Sequence, residues 1–253
     1  MAESATPSFV EPDAGGRQLL PPQARLGAVH LGVIDAARAR AFWTQYVGLT
    51  VLGEDGGIRL GAGDRELLVL HPGARGPVPP RHTGLYHLAL HLPARRELAR
   101  AVARLLALRY PNAPTDHTVT ETTYLSDPDG NGIELTFETP ERGAFVIVNG
   151  RYMARLADGT VRAGNEPVDL DSLLAELRED DDLTWPMPAG TRIGHVHLHV
   201  ADLEAADRFY RELIGFAPFM RMPMIQMMDY SLATTRAPHA LALNTWQGRG
   251  APP

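Results

Sequence analysis

The sequence predicts an α+β protein built from repeated units, each with a strand, a helix and further short strands. The first reason is an internal repeat. The segment that begins at Ile193 repeats the first unit at a fixed offset of 167 residues, so that Asp35 corresponds to Asp202 and Gly48 to Gly215. The second reason is the alternation of polar and apolar residues in short segments, which is typical of strands with one buried face.

Composition divides the chain into four parts. Residues 1–22 are rich in proline, glycine and polar residues, and we expect a flexible N-terminal arm. Residues 23–138 contain the first and second units. Residues 139–190 are predicted to be a linker that packs on the surface, with a hairpin at 145–162 and a short helix at 170–178. Residues 191–253 form the third unit.

Local signals define the elements of each unit. In the first unit, a strand from Ala28 leads to a helix that Asp35 caps and Gly48 ends, and short strands follow between 50 and 71. The second unit is predicted to contain strands at 85–92, 118–125 and 133–137, a helix at 94–108 with Leu98, Val102, Leu105 and Leu106 on one stripe, and a tight turn at 127–132. In the third unit, strands are expected at 217–222, 226–234 and 239–245.

Bulk composition excludes several classes of function. The formal net charge of −6 argues against a nucleic-acid partner, which normally requires a basic surface. No apolar run is long enough to span a bilayer, and the N-terminus lacks the pattern of a secretory signal, so we expect a cytoplasmic protein. Because the chain contains no cysteine, histidines and carboxylates must provide any metal site.

Three predicted strands place ligand-type side chains on the face opposite their apolar residues. In the strand at 85–92, the apolar face consists of Tyr86, Leu88, Leu90 and Leu92. The polar faces of the three strands carry His87 and His91, then Glu134 and Thr136, and finally His195, His197 and His199. A curved sheet would gather these groups in a cleft. Each has a plainer interpretation, because a lone histidine or glutamate on a strand is more often a hydrogen-bonded or solvated residue than a ligand.

Three segments carry a resemblance to a known family. GLYHLALHLP, YLSDPDGNGIEL and GHVHLHVADLEAADRFYRELIGF resemble the vicinal-oxygen-chelate superfamily of glyoxalases, bleomycin resistance proteins and extradiol dioxygenases. The resemblance covers residues 25–253, and DPDGNGIE is its most specific part. It implies βαβββ modules that pair to form a curved-sheet cup around a metal, and it is strongest to four-module catechol 2,3-dioxygenases.

The resemblance implies an iron site and an activity. The metal ligands would be His87, His195 and Glu134, because the first unit has Ala28 where the third has His195. This set is complete only if the second unit pairs with the third. Fe(II) is the expected cofactor, with Mn(II) as an alternative, and the expected reaction is extradiol cleavage of a catechol with O₂ in the breakdown of aromatic compounds.

The resemblance also assigns residues to catalysis. Tyr124 would donate a hydrogen bond to a substrate oxygen, and His239 would act as general base and then acid, which suits its ordinary pKa. His117 and His197 are candidate substrate-binding residues. For both histidines, a role in packing or in a loop is an equally good interpretation.

Alternatives remain at this point. A glyoxalase-like isomerase or lyase would need a further carboxylate near Leu241, where the sequence has none; an inactive or small-molecule-binding family member is a third interpretation. Four-module relatives carry a fourth unit after the position where this sequence ends. We therefore expect the first unit either to pair across a homo-oligomer interface or to belong to a truncated form.

Overall fold

The computed structural model describes residues 19–77, 79–149, 151–233 and 239–253. Residues 1–18 of the predicted arm lie outside these ranges. Within them, the strands form three sheets of four, three and nine strands, accompanied by four short α-helices. This mixed architecture confirms the α+β class. None of the helices in the described part of the chain combines the length and apolar character needed to cross a bilayer.

The first unit forms a four-stranded sheet of its own. Its elements are β1 (Val29–Val33), α1 (Ala36–Phe42) with a π-helical continuation (Trp43–Val47), β2 (Thr50–Gly53), β3 (Ile58–Ala62) and β4 (Arg65–Pro72). The strand order is β1-β4-β3-β2, with β1 parallel to β4. The Asp35 carboxylate accepts a hydrogen bond from the Arg38 N–H, as expected of a helix cap, and Gly48 ends the helical segment with φ of 95°.

The second and third units together supply most of the nine-stranded sheet. The second unit comprises β5 (Gly84–His91), α2 (Arg95–Ala107), β6 (Ala113–Asp116), β7 (Thr120–Ser126) and β8 (Gly132–Glu138). The linker comprises β9 (Gly143–Val148), β10 (Arg151–Leu156), β11 (Val161–Ala163), β12 (Glu166–Pro167) and α3 (Leu170–Leu174). The third unit comprises β13 (Arg192–His199), α4 (Leu203–Asp207) with a π-helical continuation (Arg208–Ile214), β14 (Ala217–Met222), β15 (Met227–Ser231) and β16 (Leu241–Asn244).

The strand order of the large sheet is β12-β6-β7-β8-β5-β13-β16-β15-β14. Strands β5 and β13 pair in antiparallel fashion, and this pairing joins the second unit to the third. The expectation that these two units pair is therefore confirmed. The first strand of the first unit lies at an edge of its own sheet within the described residues.

Apolar packing ties the first unit to the second. The largest core contains residues of both, among them Trp43, Leu60, Leu90, Leu105 and Ile133, all fully buried. Each such side chain stabilises the fold by about 1.5–3 kcal/mol relative to exposure to water. Leu106, predicted on the same helical stripe as Leu105, is instead 44% exposed, so the buried stripe of α2 consists of Leu98, Val102 and Leu105.

The linker is more than a surface segment, and this expectation was wrong in part. The predicted hairpin is a three-stranded sheet of β9, β10 and β11. Strand β12 pairs with β6 and so extends the large sheet, while the Arg162 guanidinium donates to the Asp116 carboxylate over 2.6 Å. The linker also contributes side chains to the interior described below, because Phe145 and Tyr152 pack in one apolar cluster with residues of the large sheet.

Candidate functional site

Three side chains converge from three neighbouring strands. His87 Nε2 lies 3.0 Å from His195 Nε2 and 3.2 Å from the Glu134 Oε2 atom. His195 Nε2 lies 3.1 Å from the same carboxylate oxygen. All three residues are at most 6% exposed. The three atoms form a compact group of the kind that can hold a metal ion.

The sheet register explains this convergence. Ala89 on β5 is the direct partner of Glu134 on β8 and of His195 on β13, so these three residues form one row across the sheet. His87 lies two residues before Ala89 on the same face of β5. Because Ala89 has only a methyl group, the space between the two flanking side chains is left for the ring of His87.

The electrostatics favour two neutral imidazoles and one carboxylate. Burial lowers the pKa of His87 to about 4 and lowers the pKa of His195 well below its ordinary value. Burial alone would raise the pKa of Glu134, but the adjacent imidazoles outweigh it and the pKa is lowered. Thr136 Oγ1 donates to Glu134 Oε1 over 2.9 Å and stabilises the charged form.

This donor set fits a divalent cation. Donors at right angles around an ion at about 2.1 Å are about 3.0 Å apart, which agrees with the distances between the three donor atoms. Two imidazoles and one carboxylate on one side of an ion are typical of non-haem Fe(II) enzymes. The group also contains converging lone pairs that repel one another unless a cation or a proton lies between them.

A cavity of about 440 Å³ opens beside the three residues. This size suits a small organic molecule. All the other predicted site residues line it: His117, Tyr124, His197 and His239. The structure thus brings every sequence-predicted site residue to one place, from strands β5, β7, β8 and β13 and from the segments just before β7 and β16.

His239 is paired with a carboxylate that the sequence did not single out. Its Nδ1 atom lies 3.2 Å from Asp229 Oδ2, and both residues are buried. Burial would lower the pKa of His239, but Asp229 outweighs it and raises the pKa above the ordinary value. Within the described residues, His239 Nε2 has no hydrogen-bond partner. Because His239 lines the cavity, this unpartnered nitrogen is a candidate contact for a molecule bound there.

Tyr124 and His117 form a hydrogen-bonded pair. His117 Nδ1 donates to the Gly164 carbonyl over 2.7 Å, so its Nε2 accepts from the Tyr124 hydroxyl at 2.9 Å. Burial first, and then the nearby Glu134 charge, raises the pKa of Tyr124 well above its usual range. The phenol is therefore protonated at neutral pH. Donation to a substrate oxygen requires its O–H to turn away from His117.

His197 is held by an amide on the neighbouring strand. The Asn244 side-chain N–H donates to His197 Nε2 over 2.8 Å, and Asn244 Oδ1 accepts from His199 Nδ1 over 2.7 Å. Burial lowers the pKa of His197, so the ring is neutral. Since Nε2 accepts from the amide, the proton of the neutral ring resides on Nδ1.

Tyr86 contradicts its sequence prediction. It was expected on the apolar face that a helix covers, but it lines the cavity, with its ring centroid 5.0 Å from that of His197 and 5.3 Å from that of Trp246. The cause is an irregularity in the β5–β13 pairing: His87 and Leu85 have partners in register, whereas Tyr86 between them does not. Alternation alone cannot predict such a bulge.

Apolar side chains form a further part of the cavity lining. Phe145 and Tyr152 from the linker have ring centroids 4.5 Å apart and line the cavity together with Met222 and Met227. Sequence reasoning missed the two aromatic residues because it placed the linker on the surface. Leu241, where a glyoxalase-like enzyme would need a carboxylate, is buried in an apolar cluster.

Two family profiles match this chain. The glyoxalase/bleomycin resistance protein/dioxygenase superfamily matches residues 25–135, which contain the first unit and most of the second. A profile for the N-terminal part of bleomycin resistance-like proteins matches residues 192–233 in the third unit.

Similar proteins are known from Bacillus subtilis. A catechol-2,3-dioxygenase of strain 168 is 35% identical over 232 residues, which make up 90% of this chain and 77% of that protein. The crystal structure of a proposed dioxygenase from the same strain shares the fold with a TM-score of 0.55 at 13% identity; the match covers 87% of this chain but only 63% of that one. The chain belongs to the glyoxalase/bleomycin resistance protein/dioxygenase superfamily.

Proposed function

We propose that the protein is an Fe(II)-dependent extradiol dioxygenase that opens the ring of catechol or a substituted catechol. The observation that carries this proposal is the cluster of His87, His195 and Glu134 at the end of a cavity with an aromatic wall. The 35% identity to a protein named catechol-2,3-dioxygenase supports it.

The three clustered residues would hold the metal through His87 Nε2, His195 Nε2 and a Glu134 oxygen. When bound, Fe(II) supplies a site at which a diol and O₂ meet and through which electrons pass from the ring to O₂. In the metal-free protein the two imidazoles are neutral and Glu134 is ionised. Metal binding therefore does not first require the removal of a proton from either imidazole.

His239 would be the proton acceptor for a catechol hydroxyl. His239 lines the cavity, its Nε2 has no hydrogen-bond partner in the described part of the chain, and its ring centroid lies 4.4 Å from that of His195. Asp229 orients the ring and stabilises the imidazolium that forms. The same nitrogen can then return the proton to the product.

Tyr124 and the apolar wall would orient the substrate. Tyr124 lines the cavity beside His117, and its hydroxyl could accept a hydrogen bond from a diol hydroxyl or donate to a substrate oxygen after its O–H has rotated. Phe145 and Tyr152 offer the flat faces against which an aromatic ring packs.

The test is reconstitution with Fe(II) under anaerobic conditions, followed by addition of catechol and O₂. We expect a yellow ring-opened product, measured by its visible absorbance, and none with His195→Ala or Glu134→Ala. His30→Ala is the matched control, because His30 lies on the corresponding strand of the first unit and is exposed. Full activity in both site variants would show that the metal assignment is wrong.

A parallel reconstitution with Mn(II) separates the two candidate metals. The ligand set binds either ion, so the comparison of turnover per bound ion decides which one supports the reaction. Binding of catechol without any O₂ consumption, with either metal, would favour a small-molecule-binding family member over a dioxygenase.

A further inference from the structure

We propose that His91 is a positioning residue for His195, acting in a chain of polar contacts that runs from the buried His195 and His91 to the partly exposed Glu138 and Arg192. This inference rests on the proposed metal site and adds the groups that keep one of its ligands in the binding-competent form. The reaction itself would be unchanged, since His91 touches neither the cavity nor the cluster of three ligand atoms.

This chain of polar contacts is continuous in the structure. His91 is 3% exposed, and its Nε2 lies 3.3 Å from His195 Nδ1. On its other side, His91 Nδ1 lies 3.2 Å from Glu138 Oε1. Both atoms are buried and neither has a hydrogen-bond partner among the described residues, so this 3.2 Å approach is the polar contact that the structure places between them. Arg192 donates to Glu138 Oε2 over 2.8 Å and holds the carboxylate in place.

The tautomers of His195 and His91 follow from the requirement that His195 Nε2 binds the metal. If His195 Nε2 presents a lone pair to a metal, the proton of its neutral ring must reside on Nδ1. That N–H then donates to His91 Nε2, which leaves the His91 proton on Nδ1, facing Glu138. A carboxylate only accepts, so every contact in the chain has a donor and an acceptor.

Without His91, the opposite tautomer of His195 would be favoured. Its Nε2–H could donate to Glu134 Oε2 at 3.1 Å, which would occupy both atoms that the metal needs. His91 opposes this arrangement by offering an acceptor to Nδ1–H. Partners of this kind, on the far side of a ligand ring, generally change metal affinity by 10–100-fold when removed.

Gly194 provides independent support, because the backbone makes room for the His91 ring. A Cβ atom at position 194 would lie 1.8 Å from His91 Cδ2 and 2.1 Å from His91 Nε2. Gly194 has no φ in the left-handed region, so the absence of a side chain serves space and not backbone conformation. It also lies between Ile193 and His195 at an irregularity of the β5–β13 pairing.

The experiment measures metal affinity directly. Fe(II) and Co(II) binding to wild type and His91→Phe are determined anaerobically by competition with a coloured chelator. His91→Phe keeps the ring volume and removes both polar contacts, and we expect affinity to fall about 10–100-fold. His91→Gln keeps an acceptor oxygen for His195 Nδ1–H and is expected to recover most of that loss.

Two further measurements separate positioning from a structural role. ¹⁵N-detected imidazole spectra of the metal-free protein should show His195 protonated on Nδ1 in wild type and shifted towards Nε2 in His91→Phe. His71→Phe is the matched control, since His71 contacts His30 over 2.8 Å in a histidine pair of the first unit. It should leave the metal affinity unchanged.

Each outcome decides the inference. Gly194→Ala displaces the ring without removing a polar group, so it replaces His91→Phe if that variant does not fold, and the same loss of affinity is expected. Wild-type affinity in the variants, with only a lower melting temperature, would overturn the positioning role while the metal site stands. If the wild-type protein binds neither metal, the proposed function fails and this inference fails with it.

Discussion

The first and third units begin with the same structural pattern but differ in what they can bind. In both, the first strand runs parallel to the last strand of its own unit, an aspartate caps the helix, and a glycine with φ of 95° ends the π-helical continuation. The third unit has His195 where the first has Ala28. Its first strand also has a neighbour on the other side, β5, whereas β1 has none in the described chain.

The corresponding histidines show the consequence. His30 is exposed and stacks on His71, with ring centroids 5.1 Å apart. Its counterpart His197 is 3% exposed, accepts from Asn244 and lines the cavity. The same kind of unit therefore forms a candidate site only where another unit pairs with its first strand. That pairing supplies the other two ligands, His87 and Glu134, and the low-dielectric surroundings of the site.

The largest expected effect comes from the base that the third unit supplies. His239→Asn should reduce turnover by about 10²–10⁴-fold while leaving the bound metal unchanged, because His239 would transfer protons without being a ligand. Turnover is measured by product absorbance and metal content by elemental analysis. The control is His71→Asn, in the last strand of the first unit. Loss of the metal in the His239 variant would instead identify His239 as a ligand.

The pH dependence of stability should originate in the paired units. The pKa of His87 is lowered from 6.5 to about 4, which corresponds to about 3 kcal/mol. The unfolded chain takes up this proton below pH 6.5 and the folded metal-free protein only near pH 4. The contribution of His87 to the free energy of unfolding is therefore complete above pH 6.5 and is lost as the pH falls to about 4.

Urea unfolding of the metal-free protein at a series of pH values measures this loss. His87→Gln should flatten the curve between pH 6.5 and 4, whereas His30→Gln should not. An identical pH dependence in wild type and His87→Gln would contradict the assignment of the effect to the ligand cluster.

A smaller effect is expected at the aromatic wall. Phe145→Leu should raise KM for catechol by about 2–10-fold with little change in kcat, since an aromatic contact contributes about 0.5–1.5 kcal/mol beyond area burial. Phe42→Leu, in the core of the first unit, should lower stability without changing KM. Steady-state kinetics with catechol and a ring-substituted catechol measure KM in both variants, and urea unfolding measures the stability of Phe42→Leu. An unchanged KM in Phe145→Leu would show that the aromatic wall does not contribute to substrate binding.

For one substitution in the first unit, Ala28→His, we expect no change in the metal content. Ala28→His introduces into the first unit the residue that corresponds to His195, but in the described residues β1 has no neighbouring strand that corresponds to β5, and so no counterpart of His87 and Glu134. We expect the number of metal ions bound per chain to stay the same by elemental analysis. A second bound ion would show that the module alone, without pairing, is sufficient for a site.

Much of the candidate site could be predicted from alternation along single strands. The rule that alternate residues share a face correctly grouped His87 with His91, and His195 with His197. It failed at Tyr86, where an irregularity in pairing turns the side chain into the cavity. The rule makes no prediction for Asp229 or for the linker residues Phe145 and Tyr152, because their contacts are with residues distant in the sequence.

The local elements follow from the amino-acid sequence alone: the helices that Asp35 and Asp202 cap, the glycines that end them, and the strands whose polar faces carry histidine and glutamate. These depend on hydrogen bonds and side-chain periods within a few residues of one another. Long-range strand pairing, in contrast, places β5 between β8 and β13, leaves room at Ala89 between Glu134 and His195, and makes space at Gly194 for the His91 ring. Those features depend on strand register across about a hundred residues, which is set by burial of the whole sheet and not by any local pattern.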